Sequence, residues 1–170
     1  MLEKLPDGLW ATRYVGARFP GAPLVADKPG LADGANCQLF AYEVLRLFGF
    51  DPPDLRSSEL WADTEFTEQV AEPGPYDLVL FNATQNTWGA HVGVCADNDQ
   101  ILHLCAEVGH PAVWTWQDFE TRPRYQTLIG TKRITRRLRD SPQPLGSQGP
   151  RGGGSPCRGE GHPPPGEESR

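Results

Sequence analysis

The chain lacks the sequence patterns of several protein classes. No apolar run reaches the ~20 residues that a transmembrane helix needs, and residues 1–8 contain no apolar signal-peptide core. Internal repeats are absent, and so is the Cys-Xaa2-Cys spacing of a structural zinc site. We therefore expect no membrane association and no metal site. The expected location is cytoplasmic by default, with export by a non-classical route as the alternative.

Positive charge is in short supply. The chain has 16 Lys and Arg against 22 Asp and Glu, which gives a formal net charge of -6. Nucleic acids and anionic membrane surfaces attract basic proteins, so neither is expected as the main partner. One basic cluster follows the last predicted strand and consists of Lys132, Arg133, Arg136, Arg137 and Arg139. We expect a solvated edge there, with a local anion site as the alternative.

Large aliphatic residues are nearly absent from residues 141–170. Leu145 is the only one, whereas seven of the 17 prolines and eight of the 19 glycines fall in this segment. Such a composition buries too little apolar surface to offset the entropy lost on ordering. We predict one folded domain over residues 1–140, large enough for a hydrophobic core, and a disordered tail over residues 141–170.

Cysteine is too scarce for a disulfide framework. There are four cysteines, at positions 37, 95, 105 and 157, and Cys157 lies in the predicted tail. Cys95 and Cys105 lie on neighbouring predicted strands. We expect both to be buried in reduced form, with a bridge between them as the alternative.

Cys37 lies at the start of a predicted helix. Apolar residues recur at steps of three and four, at Cys37, Phe40, Ala41, Val44, Leu47 and Phe48. Asn36 is a favourable N-cap and Gly49 a favourable stop. Cys37 would then occupy the first turn, where free N–H groups favour a thiolate and can stabilise an oxyanion. The alternative is a small buried hydrophobic side chain.

Two histidines follow on predicted strands. The strands are predicted over residues 76–81, 91–95 and 101–104. Side chains alternate along a strand, so a three-residue turn at residues 98–100 would place His91 and His103 on one face. These residues fit a nucleophile arrangement in which Cys37 attacks, His91 is general base and acid, and His103 orients His91. Each histidine alone is also compatible with a core imidazole.

The order of these segments resembles the NlpC-type cysteine peptidases, bacterial cell-wall endopeptidases with a compact papain-like fold. That family reads Asp-Cys-Ser-Gly, Gly-Asp-Leu-Val-Phe-Phe and His-Val-Gly-Ile, followed by a strand that ends in a second catalytic polar residue. The counterparts here are residues 36–39, 76–81 and 91–94, and then His103. The resemblance extends from residue 10 to residue 137.

The resemblance implies an α+β, papain-like domain whose cysteine-bearing helix packs on an antiparallel sheet with both histidines. It implies a cysteine hydrolase that needs no cofactor and cleaves an amide bond through a thioacyl-enzyme. The substrate would be a peptidoglycan stem peptide, cut next to a γ-linked D-glutamate. Asn36 replaces the family's aspartate and Gln38-Leu39 its Ser-Gly pair. Two alternatives are a thiol acyltransferase or amidase for a non-wall metabolite, and a catalytically idle domain that binds peptides or partners.

A few further side chains are candidates for the site. Trp88 directly precedes the strand of His91, and Ser57 and Ser58 resemble a short family segment that follows the helix, so these three are expected to contact substrate. Tyr14 is a candidate for a tyrosine that the family carries before its cysteine. Two other tryptophans, Trp114 and Trp116, would either wall a groove or alternate along a half-buried strand. We expect the strand.

Overall fold

The computed structural model describes residues 1–97 and 99–138 and shows an α+β fold. The strands are β1 (Thr67–Val70), β2 (Leu78–Asn82), β3 (His91–Cys95), β4 (Gln100–Leu104), β5 (Pro111–Thr115) and β6 (Thr127–Ile134). They form one antiparallel sheet in the order β1-β6-β2-β3-β4-β5. The predicted tail over residues 141–170, with Cys157, lies outside the described residues, as does Arg139.

Short helices surround the sheet. They are α1 (Pro23–Asp27), α2 (Cys37–Leu47), α3 (Ser57–Ala62) and α4 (Trp116–Glu120), with 3-10 turns over Leu2–Lys4 and Asp7–Ala11. Within the described residues, none of these helices combines the length and the apolar composition of a bilayer-spanning segment. The predicted α+β class with an antiparallel sheet is confirmed.

Helix α2 begins and ends where the sequence predicts. Asn36 Oδ1 accepts a hydrogen bond from the Leu39 N–H at 2.8 Å, and Gly49 takes a positive φ of 81° just beyond the helix. The predicted apolar face is wrong at Leu47, which is 56% exposed. The buried surface instead extends around the first turns of α2. Gln38 and Tyr42 are also buried there, and both side chains donate hydrogen bonds to the Leu55 carbonyl.

The main core lies between α2 and one face of the sheet. The strand residues in this cluster alternate along β2, β3 and β4 and are Leu78, Leu80, Val92, Val94, Leu102 and Leu104. A second cluster covers the opposite face and contains Val79, Phe81, Cys95, Ile101, Cys105, Phe119 and Tyr125. Because strand side chains alternate, His91 and His103 belong to the second face, away from α2.

The β3–β4 hairpin places both histidines on that face. Val94 pairs with Leu102 and Cys95 with Ile101. The Ala96 N–H also bonds to the Gln100 carbonyl at 2.8 Å. The expected turn at residues 98–100 is therefore displaced by one position toward the N-terminus, since Gln100 already belongs to β4. The register keeps the predicted shared face.

Some predicted boundaries are wrong. The short strand β1 was not predicted. The first predicted strand begins at Leu78 and not at residue 76, because Asp77 Oδ2 caps the preceding turn by accepting from the Gly74 N–H at 2.7 Å. Trp116 does not continue β5. Thr115 and Asp118 form a capping box there, which ends the strand and starts α4.

The basic cluster is a solvated edge only in part, because Arg133 and Arg137 are exposed as expected whereas Lys132 is not. Lys132 is buried, and its Nζ donates to the Asp63 carbonyl at 2.6 Å. Arg133 binds both Asp77 carboxylate oxygens, at 2.9 and 2.8 Å. The reason is that β6 is an interior strand, between β1 and β2. Side chains alternate along it, so Lys132 and Arg133 point to opposite faces of the sheet.

Gly93 lets β3 and β4 approach closely beside the histidines. A Cβ at this position would lie 2.6 Å from Ile101 Cγ2 and 3.4 Å from His103 Cβ. We expect Gly93→Ala to lower the free energy of unfolding by about 1–3 kcal/mol through overpacking, measured by urea denaturation. Gly8→Ala is the control, because nothing lies within 4 Å of its added Cβ. Equal stability of the two variants would contradict this packing argument.

Candidate active site

Cys37 and His91 line one narrow cleft with a volume of about 70 Å³. Cys37 reaches the cleft from the first turn of α2, and His91 from the first residue of β3. The complete lining is Tyr14, Cys37, Asn82, Gly89, His91, Cys105, Ala106, Arg124 and Tyr125. Larger cavities of about 290, 370 and 400 Å³ are lined by other residues. The largest cavities are thus separate from the cysteine and the histidines.

His91 and His103 are in direct contact. His91 Nε2 lies 3.0 Å from His103 Nδ1, and the two rings meet edge to face at 89°. This contact occupies one nitrogen of His91, so Nδ1 is the nitrogen that remains for a reaction with Cys37. Among the hydrogen bonds of the described residues, none joins the Cys37 sulfur to His91. Catalytic hydrogen bonds often form only when substrate binds, so the absence of this bond is compatible with proton transfer.

His103 is enclosed by aromatic rings. It is fully buried, with ring centroids of Trp114 at 4.1 Å and Phe119 at 5.0 Å. Its Nε2 has no hydrogen-bond partner among the described residues. Burial lowers the pKa of His103 to about 3, and the nearby Arg122 guanidinium acts in the same direction. His103 is therefore a neutral partner for His91. Trp114 packs on this imidazole.

The surroundings disfavour charge on both the half-buried Cys37 and the buried His91. Burial raises the pKa of the Cys37 thiol, and the backbone amides of Val92, Gln38 and Cys37 offset this in part. Burial also lowers the pKa of His91 well below its ordinary value, and His103 and Arg124 lower it further. Both pKa shifts disfavour the resting thiolate that the sequence predicts. The helix terminus does favour a thiolate, but the cost of burying a charge is larger.

The first turn of α2 offers backbone donors beside the sulfur. Asn36 caps the helix by accepting from Leu39 N–H, and its carbonyl accepts from Phe40 N–H. The N–H groups of Cys37 and Gln38 have no intrahelical acceptor, as at every helix start. They are therefore suited to hold a negative oxygen that develops next to the Cys37 sulfur.

Three predicted substrate-binding residues do not line the cleft. Trp88 is 68% exposed, and the turn at Gly89, with φ of 67°, separates its side chain from His91. Ser57 is buried, and its Oγ donates to the Thr87 carbonyl at 2.8 Å, which ties α3 to the loop before β3. Ser58 is half-buried in α3. Contact of these residues with substrate stays a prediction for parts of a ligand outside the cleft.

The structure adds residues that sequence reasoning did not place in the site. Cys105 follows His103 by two residues, so its face was predictable by alternation. Arg124 and Tyr125 come from the segment between α4 and β6, and no sequence pattern links them to Cys37. Tyr14 does line the cleft, because its N–H bonds to the Gly109 carbonyl at 2.8 Å and its backbone bridges Ala35.

The cysteines of the described chain are all unbridged. Cys95 and Cys105 are buried, as predicted. Burial, with a contribution from Asp77, raises the pKa of Cys95 to about 12. In residues 1–97 and 99–138, no cluster of three His, Cys, Asp or Glu side chains is arranged to hold a metal ion.

Comparisons with known proteins give no family assignment. No family model matches the chain, and no curated protein matches its sequence. What the cleft does chemically must therefore be argued from its own residues and their geometry.

The two buried histidines predict a loss of stability in acid. Their folded pKa values lie below the ordinary 6.5, so the unfolded chain takes up protons first as the pH falls. The stabilisation is complete above 6.5 and declines below it, by up to about 1.4 kcal/mol per pH unit for each histidine. We expect His103→Asn to reduce the loss of unfolding free energy between about pH 7 and about pH 5.

Urea denaturation at the two pH values provides the measurement. His110→Asn is the matched control, because His110 is exposed and its imidazole is hydrated in both states. The His110→Asn protein should lose as much unfolding free energy between the two pH values as the wild type does. An equal acid loss in the His103→Asn protein and the wild type would show that burial does not keep His103 neutral.

Proposed function

We propose that this chain is a cysteine hydrolase that cleaves an amide bond through a thioacyl-enzyme. Cys37 is the nucleophile, His91 the general base and acid, and His103 the residue that orients His91. The observation that carries the proposal is the 3.0 Å contact of His91 with His103 in the cleft that Cys37 lines. A thiol, a base and a group that holds the base are the parts that thiol-mediated acyl transfer requires.

The proposed fold family is papain-like. Its support is a helix with the cysteine in its first turn, packed on an antiparallel sheet whose strands β3 and β4 carry His91 and His103. The resemblance to NlpC-type peptidases supports the same roles for these residues. On that basis the proposed substrate is a peptidoglycan stem peptide, cut beside a γ-linked D-glutamate.

The aromatic enclosure of His103 favours the tautomer that the mechanism needs. If His91 is to accept a proton at Nδ1, its Nε2 must carry hydrogen and donate to His103 Nδ1. The His103 proton then lies on Nε2, among the rings of Trp114 and Phe119. Aromatic faces attract an N–H group and repel a lone pair. The opposite tautomer would bury a bare lone pair there.

The reaction follows from neutral starting groups. The Cys37 sulfur attacks the substrate carbonyl while its proton moves to His91 Nδ1, which forms an S–C bond and an oxyanion. The oxyanion is held by the N–H groups of Cys37 and Gln38. When the C–N bond breaks, His91 gives its proton to the leaving amine. Water then attacks the thioester, with His91 as base, and releases the acid and the thiol.

Tyr14 supplies a second donor to the cleft. Burial raises the pKa of its hydroxyl, and the proximity of Cys37 adds to that effect. The hydroxyl therefore keeps its proton while an anionic intermediate forms nearby. These properties support for Tyr14 the role that the family gives to a tyrosine before the cysteine.

Formation of the acyl-enzyme tests the nucleophile without knowledge of the natural acyl group. With p-nitrophenyl acetate, we expect a burst of nitrophenol and an acetyl group that peptide mapping locates on Cys37. Cys37→Ala should abolish both, whereas the control Cys95→Ala should keep both, because Cys95 does not line the cleft. A native protein whose Cys37 is never acetylated would favour the idle binding domain.

The two histidines should differ in their contributions. His91→Ala removes the base, so hydrolysis of a γ-D-glutamyl peptide should fall by at least about 100-fold. His103→Asn keeps a polar group beside His91 and should retain partial activity. The activity of His103→Ala should lie between those of His91→Ala and His103→Asn. The released amine is measured over time, and circular dichroism shows that each variant is folded. Wild-type activity in His91→Ala would rule out the mechanism.

A further inference from the structure

We propose that Arg124 binds a carboxylate of the substrate, so that the cleft selects acyl donors with a free negative charge near the scissile bond. The inference rests on the proposed function, because it names the substrate class of the same site. It assigns a specificity role to a residue from the segment between α4 and β6.

Arg124 is an exposed cation on the wall of the cleft. Four other arginines are engaged by carboxylates, Arg46 by Glu43 and Asp54, Arg122 by Glu107 and Asp118, Arg133 by Glu68 and Asp77, and Arg136 by Asp51, whereas none of these four lines the cleft. In residues 1–97 and 99–138, no carboxylate forms an ion pair with Arg124. Its guanidinium lies 5.8 Å from the Tyr125 ring centroid, at the outer limit of a cation–π contact, which leaves its N–H groups available to an anion.

The charge of the cleft is opposite to that of the chain. The whole sequence has a net charge of -6. The residues that line the cleft, however, include Arg124 and no aspartate or glutamate. A cleft with low-dielectric walls and one sign of charge concentrates ligands of the other sign. Anionic ligands are therefore attracted to this part of an otherwise acidic protein.

The size of the cleft divides the substrate into two parts. A volume of about 70 Å³ is small beside the ~300–1,000 Å³ of typical ligand pockets. Only the reacting amide enters, and the rest of the substrate lies along the rim, where the exposed Arg124 is. A guanidinium recognises a carboxylate through two parallel hydrogen bonds, which also orients the ligand.

Binding of a carboxylate would also help the base. Burial is the largest cause of the low pKa of His91, but the positive charge of Arg124 lowers it further. A substrate carboxylate on Arg124 would neutralise that charge. His91 would then accept the Cys37 proton more readily when the correct substrate is bound than in the empty site.

Matched alkylating probes test the inference at Cys37 itself. Bromoacetyl-glycine carries a carboxylate, and bromoacetyl-glycinamide replaces it with a neutral amide; in both, sulfur displaces bromide. Peptide mapping gives the alkylation rate of Cys37 with each probe. The ratio of the anionic to the neutral rate in the folded protein is then divided by the same ratio in the urea-unfolded protein, which removes the intrinsic difference between the probes. Wild type should favour the anionic probe by about fivefold, the factor expected for an exposed charge pair of about 1 kcal/mol.

Substitutions assign the preference to its source. Arg124→Gln should remove the preference for the anionic probe. Arg124→Lys should keep part of this preference, because lysine retains the charge but cannot form the bidentate contact. Arg137→Gln is the control. It makes the same change in net charge, but its guanidinium lies over the Phe50 ring, beyond the opposite end of α2 from Cys37.

The outcomes separate the two proposals. Equal rates for both probes in the wild type, or a preference that survives in Arg124→Gln, overturn the role of Arg124 and leave the proposed hydrolase standing. A folded protein whose Cys37 reacts with neither probe overturns both. A preference lost in Arg124→Gln and kept in Arg137→Gln supports the inference.

Discussion

The contact between His91 and His103 depends on the register of a single hairpin. The β3–β4 pairing keeps both imidazoles on the same face. A shift of one residue would turn one of them toward α2 and replace it with an aliphatic side chain. Gly93 permits the strands to approach at this point, since any larger side chain would meet Ile101 and His103. The site therefore depends on close packing of the backbone as much as on its three polar residues.

Burial sets the chemistry of that site. Apolar and aromatic neighbours disfavour charge on Cys37 and His91, and they keep His103 from becoming a cation. A thiolate–imidazolium pair would need two charges in a poorly solvated place. For the proposed hydrolase, neutral groups of this kind favour proton transfer in step with attack on the substrate.

The cleft lies where several separate parts of the chain meet. Helix α2 brings Cys37 from one side of the sheet, and β3 brings His91 from the other side. The segment after α4 adds Arg124, and the N-terminal segment adds Tyr14. The walls of the cleft therefore combine residues that are far apart in the sequence.

Local patterns in the sequence determined the helix of Cys37 and the strands of the two histidines. Asn36 and Gly49 mark the helix ends through capping, and alternation with an odd connection places both histidines on one face. These are short-range effects, so the sequence alone was sufficient to predict them. It was not sufficient to place Trp88, which precedes the turn at Gly89, or Ser57, whose hydroxyl donates to Thr87.

Only the tertiary structure decided what surrounds the site. The neutral state of Cys37 depends on burial by distant residues, and the helix N-terminus that predicts a thiolate is a weaker local effect. Lys132 and Arg133, expected at a solvated edge, proved to be bound on an interior strand to Asp63 and Asp77. The position of Arg124 likewise follows from the packing of residues far apart in the chain. Helix caps and strand alternation are local in sequence, whereas burial, long-range hydrogen bonds and electrostatic fields arise from the whole fold.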